Sequence, residues 1–368
     1  MDVSSPLISI IIPAYNAADF LPRTLESVLN QTYPHFEVWV IDDGSQDETA
    51  AIARSFGQRD ARIRCLQQAN QGVAVARNYG IAQAQGEWIA PIDADDIWYP
   101  HYLEKLVALE QSVSRPRPVG VIYAWSIDID EADQPIGGFH AAKVVGNVYR
   151  TLVCHNFLGN ASATLIARSA LQKVGGYDAT MRQQQAQGCE DWDLYLRLAA
   201  AYDFAVVPEF LVGYRKLAAS MSGDGQTMAR SQDILLQRVY QSHPTLPRWY
   251  GALSRSSFYL YLAHQSAAQG QADRTLAWVK QAIRADWFTP WLRPSTYRLL
   301  LDNLVLNRLL PGHSKQQMSI PPKRSAVIPL RIPVWKVWLK VTVVSLVHIC
   351  LSAARHPPQP QCFSEVDY

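Results

Sequence analysis

The chain has 368 residues, 48% hydrophobic and 18% charged, with 11 Trp, 17 Tyr and 10 Phe. That length exceeds what one core usually holds and excludes a lone small module, while so apolar a composition excludes a disordered chain. A net charge of only +2 excludes a protein built to neutralise a nucleic-acid backbone.

The opening residues, MDVSSPLISIIIPAYN, carry no basic n-region, and their apolar run is shorter than a signal-peptide core, so the chain is expected to start inside the cell. Over the first hundred residues short apolar runs alternate with amphipathic ones, the pattern of βα units building a parallel sheet. Strands are expected over 7–12, 36–41, 63–67 and 87–92. Leu21, Leu25, Val28 and Leu29 recur at helical spacing. Ser45-Gln46-Asp47-Glu48 reads as a capping box, with Ser45 and Glu48 taking free amides at a second helix start. Further helices are expected over 70–84 and 102–109.

Beyond these, strands are expected over 119–129 and 161–167, and a short helix over 169–174 that Gly175-Gly176 stops. A glutamine-rich polar loop over 182–188 leads to an amphipathic helix over 190–202. The first domain, 1–224, closes after the Ser/Gly-rich SMSGDG. From there to 310 the pattern is helical. The stretch YLYLAHQSAAQGQADRTLAWVKQAIRADW is similar to a tetratricopeptide unit with Gly270 at its turn, which leaves a plain packing module and a partner-binding groove both open.

The last segment, 311–368, is a basic amphipathic tail, expected to be partly disordered. Seven basic residues against two acidic ones give it +5, leaving about −3 on the rest. Within 328–354, Arg331, Lys336, Lys340 and His348 interrupt an apolar run whose longest stretch free of Lys and Arg is 14 residues. A spanning helix needs roughly 20. Trp335 and Trp338 suit a helix lying in a membrane interface, and a helix packed on the body is the alternative. Five scattered cysteines without a CxxC argue against a disulfide framework or a zinc site and for a reducing compartment.

Strands of a parallel sheet deliver their loops to one carboxyl edge, where ligands bind. Here those loops are Pro13-Ala14-Tyr15-Asn16, Asp42-Asp43-Gly44-Ser45 and Asp93-Ala94-Asp95-Asp96. Neither GxGxxG nor GxxxxGK[ST] is present, so a bound nucleotide would lack the usual glycine cradle. Carboxylates repel phosphate and could serve it only through a divalent cation. In an extended segment Asp93 and Asp95 point the same way, which suits a cation between one of them and a diphosphate; an acidic turn is the plainer reading. Asp43 can accept a hydrogen bond from a base ring N–H, which uracil and thymine offer, or can simply shape a turn.

Three blocks of sequence, ISIIIPAYNAADFLPRTLESVLNQTYPHFEVWVIDDGSQDET, NQGVAVARNYGIAQAQGEWIAPIDADDIWYP and GGYDATM with CEDWDLYLRLA, together resemble the family 2 glycosyltransferases. The resemblance covers about three fifths of the chain. It implies an α/β GT-A fold, a Rossmann-like mostly parallel sheet flanked by helices, followed here by an α-helical C-terminal region. By the same resemblance Pro13, Ala14 and Tyr15 would wall the base, Asp43 bind it, and Arg77 lie near base and diphosphate. Asp93 would touch the ribose or metal region, Asp95 hold a divalent cation (Mn²⁺ or Mg²⁺), and Glu190-Asp191 form an acidic dyad with Asp191 as catalytic base. Asp96 fits either that pattern or a turn cap, Asp193 is expected to be structural, and Arg215 or Lys216 could face phosphate. The QxxRW motif of processive synthases is absent.

The expected function is inverting transfer of one sugar from a nucleotide-diphosphate sugar, UDP or TDP favoured, to a saccharide or lipid-linked acceptor. The expected setting is the cytoplasm or the inner face of the membrane, with contact through 328–354 and a protein partner on the helical module as further possibilities. Nucleotidyl transfer and a non-catalytic role in polysaccharide assembly are the alternatives.

Overall fold

The computed structural model describes residues 5–112, 116–217 and 224–306. The tail over 311–368, with its segment 328–354, lies outside the described residues, as do Ser220, Met221 and Ser222. In chain order the first half runs β1 (Ile8–Ala14), α1 (Leu21–Leu29), β2 (Phe36–Asp42), α2 (Thr49–Arg59), β3 (Ile63–Gln67), α3 (Val73–Gln83), β4 (Trp88–Pro91), β5 (Ile97–Trp98), α4 (Tyr102–Ser112), β6 (Val119–Ile129) and β7 (Pro135–His140). The second half runs α5 (Tyr149–Cys154), β8 (Thr164–Ala167), α6 (Arg168–Val174), α7 (Thr180–Gln183), α8 (Glu190–Ala201), β9 (Asp203–Arg215), α9 (Gly225–Ser242), α10 (Trp249–Ala268), α11 (Ala272–Ala285) and α12 (Pro294–Leu300).

The strands form one mixed sheet in the order β3-β2-β1-β4-β8-β6-β9-β5, with β7 paired to β6. The first four are parallel, β1 lying between β2 and β4, so Ala14 and Asp42 end side by side. β8 enters antiparallel to β4, and β6 runs parallel to β9. Both faces of the parallel part are covered, which is why β1, β2 and β4 are largely apolar and buried at every residue, the buried Ser9 donating to Glu37 (2.7 Å). Alternate residues part company across the sheet. Ile8, Ile10 and Ile12 pack with Leu21, Leu25 and Phe56 beneath α1 and α2, while Ile11, Ile41 and Ile89 pack toward α3 and α8.

Several sequence expectations need correction. The helix after β2 starts at Thr49 and not at a Ser45–Glu48 capping box: Asp47 Oδ1 accepts from Thr49 N (3.0 Å), Glu48 makes no cap bond, and Ser45 Oγ accepts from Asn16 N (2.9 Å). The reason is competition, because Asp47 also takes the Ala18 amide and so ties the β1 loop to the start of α2. The sequence reading passed over β5, β7 and β9. β9 is broken at Pro208-Glu209, where both residues are exposed and the register with β6 jumps. Proline, lacking an N–H, is tolerated at such a bulge. The stop of α6 is as expected, with Gly175 left-handed at φ 84° and the amides of Gly175 and Gly176 both donating to Leu171 O.

At Asp224 the chain changes from sheet to helix without a break in its core. Asp224 caps α9 through the amides of Gln226 and Thr227. Met228, Leu235, Leu236, Tyr250 and Phe258 then join the same buried cluster as Leu152, Cys189 and Trp192. The Trp192 and Phe258 rings lie 5.9 Å apart. α10 and α11 form a helical hairpin that turns at Gly270. Among the described residues no helix is long and apolar enough to cross a membrane.

Candidate active site

The three loops at the carboxyl edge of β1, β2 and β4 have different fates. Pro13 and Ala14 are buried at the end of β1, and Tyr15 beyond them is half exposed, an aromatic face offered to solvent. Asp43 is buried and already engaged. Its Oδ1 accepts from Gln71 N (2.8 Å) and Gln68 Nε2 (2.7 Å), and its Oδ2 accepts from Gly72 N (2.7 Å). Oδ2 therefore keeps a lone pair for one more donor. Gly72 is suited to this role because its φ of 93° favours glycine, and a Cβ there would stand 2.9 Å from Arg182 Cδ. Arg182 reaches across this turn to Asn70 Oδ1 (2.5 Å), so the glutamine-rich loop rests on the turn that holds Asp43.

Asp93 and Asp95 do not lie in an extended segment as expected. β4 ends at Pro91, and Asp96 N donates to Asp93 O (3.0 Å), closing a tight turn. Ser162 braces it by donating to Asp96 Oδ2 (2.5 Å) while accepting from Asp93 N (3.0 Å). The turn separates the carboxylates by task. Asp93 faces Arg77, Asp96 is wholly buried and serves as a fixed acceptor, and Asp95 makes no hydrogen bond or ion pair with another side chain among the described residues.

Arg77 joins the parts. α3 places it beneath the sheet edge with a side chain 4% exposed, where NH2 contacts Asp93 Oδ1 (2.5 Å) and NH1 contacts Asp191 Oδ1 (2.6 Å). Its guanidinium lies over the Tyr177 ring at 5.0 Å. Burial alone would lower the Arg77 pKa, but Asp191 and Asp93 hold it charged, well above its usual range. The two carboxylates remain 28% and 25% exposed, so the pair opens to solvent on the side away from the arginine. Asp191 lies in the first turn of α8, where the helix dipole favours a carboxylate. Burial nevertheless pushes it up to about 6; Arg77 opposes that rise, and Asp93 and Glu190 add to it.

Glu190, the other half of the dyad, is buried and accepts from Gly188 N (2.7 Å), and burial raises its pKa. Its contact is thus with the loop before α8, whereas Asp191 is the member that meets Arg77. Asp193 is bound by Arg197 (2.7 Å) and Arg238 (3.4 Å), away from this cluster.

A phosphate role for Arg215 is overturned. Its side chain is fully buried, with Nε donating to Asp95 O (2.6 Å), NH1 to Asp130 O (2.5 Å) and NH2 to Asp133 Oδ1 (2.5 Å), while its backbone N donates to Asp96 Oδ1 (2.8 Å). It clamps the Asp93–Asp96 turn to the β6–β7 turn. Lys216 Nζ sits over the Tyr214 ring at 4.0 Å, and burial lowers its pKa.

The donor set fits a cation shared with a substrate. Burial, then the charge of Asp93, pushes Asp95 up to about 6, which a cation bound there would oppose. No group of three or more His, Cys, Asp or Glu poised to hold a metal occurs among the described residues. Ions such as Mg²⁺ are commonly held by one or two carboxylates plus phosphate oxygens. Sequence reasoning missed Tyr177 and Ser162. Tyr177 stands inside the GGYDATM block and had a signal to follow, whereas Ser162 comes from a stretch with none.

A family model described as glycosyl transferase family 2 matches residues 9–163. A putative teichuronic acid biosynthesis glycosyltransferase, TuaG of Bacillus subtilis (strain 168), is 44% identical over 101 residues, 27% of this chain and 40% of that protein. Glycosyltransferase GlyG of Streptococcus pneumoniae serotype 4 (strain ATCC BAA-334 / TIGR4) is 38% identical over 130 residues, 35% of this chain and 42% of that protein. The chain thus spans about two fifths of the length of these relatives. The crystal structure of S. aureus TarS 1-349 in complex with UDP-GlcNAc superposes with a TM-score of 0.48 at 15% identity, covering 76% of this chain and 90% of that one. The family match stops before α8, and within the fold Asp191 at the start of α8 is joined to the matched region by its ion pair with Arg77. From its first strand to the residues just before β8, this chain is similar to the family 2 glycosyltransferases.

Proposed function

We propose that the protein is an inverting glycosyltransferase that moves one sugar from a nucleotide-diphosphate sugar to a saccharide or lipid-linked acceptor, with Asp191 as the general base. The observation that carries this reading is the convergence of Asp93, in the turn after β4, and Asp191, in the first turn of α8 about a hundred residues later, on the buried Arg77. In the reaction the acceptor hydroxyl gives its proton to Asp191 as its oxygen bonds to the anomeric carbon. The bond from that carbon to the diphosphate breaks, and its electron pair leaves with the nucleoside diphosphate. Attack opposite the leaving group inverts the anomeric centre. Arg77 keeps Asp191 ionised against the pull of burial, so that its proton affinity stays close to neutral pH.

Pro13, Ala14 and Tyr15 are proposed to wall the base, with the free lone pair of Asp43 Oδ2 accepting from a ring N–H. This favours uridine or thymidine donors. Asp93 would lie at the ribose, and Asp95 would hold Mn²⁺ or Mg²⁺, whose charge would neutralise the diphosphate. The acceptor is proposed to meet the stretch 137–159 and the helices beyond Asp224, and 328–354 to contact a membrane surface.

The test is product analysis with a panel of nucleotide sugars. Release of nucleoside diphosphate is expected; release of pyrophosphate would mean nucleotidyl transfer, and no turnover with any donor would favour a non-catalytic assembly role. In Asp191→Asn, turnover should fall by about 10²- to 10⁴-fold while donor affinity by calorimetry stays near wild type. Near-normal turnover would remove Asp191 from its role.

A further inference from the structure

Of the eleven large hydrophobic side chains exposed among the described residues, six come from the short stretch 287–301: Trp287 (77% exposed), Phe288, Trp291, Leu292, Tyr297 and Leu301. The stretch is held by ordinary means. Pro290 and Thr296 are buried beneath it, Asp286 accepts from the amides of Phe288 and Thr289, and Arg293 NH2 donates to Ser257 Oγ (2.7 Å). The aromatic residues are therefore displayed by a fixed backbone, with the Trp287 and Phe288 rings 5.6 Å apart and those of Trp291 and Tyr297 5.9 Å apart. A concentration of this kind on a water-facing surface marks an interaction site.

Charge selects the partner. Residues 280–302 contain four basic side chains, Lys280, Arg284, Arg293 and Arg298, against two acids, Asp286 and Asp302; Arg298 is paired with Asp302 (3.6 Å), while Lys280 and Arg284 stand exposed on α11. The chain that continues from this region is also basic, and its apolar stretch 328–354 carries Arg331, Lys336 and Lys340 with no acid at all. Like net charge on the two stretches of sequence disfavours the tail as the occupant of the patch, and a second copy equally. An anionic, partly apolar surface attracts both. Trp and Tyr settle at the headgroup level of a bilayer, and cations around them are drawn to anionic lipid.

We infer that the 287–301 patch is a membrane-docking surface that seats the folded body on an anionic lipid bilayer, with its aromatic side chains at headgroup depth. This contact is additional to the one proposed for 328–354 and rests on surface chemistry alone, so it stands or falls independently of the reaction. The test is co-sedimentation of the full chain with vesicles of phosphatidylcholine alone and with about one third phosphatidylglycerol. The wild type should bind the anionic vesicles preferentially and less so as salt is raised. Trp287→Ser combined with Trp291→Ser, tail intact, should lower the partition coefficient about tenfold or more, and Leu292→Glu should do the same independently. Unchanged partition in both variants overturns the inference, as does a wild-type chain that stays in the supernatant. A wild type that is dimeric by light scattering and becomes monomeric on substitution also overturns it, since a second copy is then the occupant.

Discussion

At the scale of single residues, the ion pairs of Arg77 set the behaviour of the site. Asp191 must be ionised to accept a proton, and its pKa is lifted to about 6 by burial against the opposing charge of Arg77. The group is an acid with a raised value, so its active form is lost as pH falls through about 6. The pH profile of kcat/KM, which reports the free enzyme, should decline on its acid side there. Arg77→Gln removes the charge that opposes the rise, so this acid limb should move to higher pH; a limb that stays in place would show that another group titrates. Glu190 accepts from the loop amide of Gly188, which makes it a support for the start of α8. The one-residue offset between the two members of the dyad decides which of them meets Arg77.

At the scale of elements, the turn after β4 is the piece that has to be held. Arg215 at the end of β9 grips it from one side, and Ser162, just before β8, grips it from the other. Arg215→Ala strands acceptors at Asp95, Asp130 and Asp133. The expected cost is about 2–4 kcal/mol, toward the lower figure because water reaches Asp133. Urea unfolding should show it as a lower midpoint. The element expectations succeeded where local pattern and burial agree. β1, β2 and β4 are largely apolar runs of strand length, and α6 ends where a left-handed glycine forces it to. They failed for β9, whose Pro208-Glu209 interruption reads as a loop until β6 is seen running beside it, and for β5, which at two residues carries no periodicity.

For the molecule as a whole, the helices beyond Asp224 share a core with the sheet-bearing part. Trp192 and Cys189 on and before α8 are covered by Phe258 and Met228, so the helical region shields the base of the helix whose first turn holds Asp191. Unfolding of the described body is expected as one transition. Phe258→Ala should cost about 3 kcal/mol or more and shift that transition as a unit. Two separable transitions in calorimetry, with only the second displaced by the substitution, would contradict a common core.

The sequence by itself determined the alternation that builds the parallel half of the sheet, the loops at its carboxyl edge, and the acidic residues Asp43, Asp93 and Asp95 on those loops, whereas Glu190 and Asp191 were picked out by the family resemblance. Those features are local, since strand periodicity and loop position are written in neighbouring residues. Tertiary structure alone decided that Arg77 bridges Asp93 and Asp191, that Arg215 is spent on the Asp93–Asp96 turn, and that Asp95 is left uncommitted. Each depends on side chains 16 to 120 positions apart meeting where water is excluded, and there a charge must find its partner from whichever segment the fold brings near.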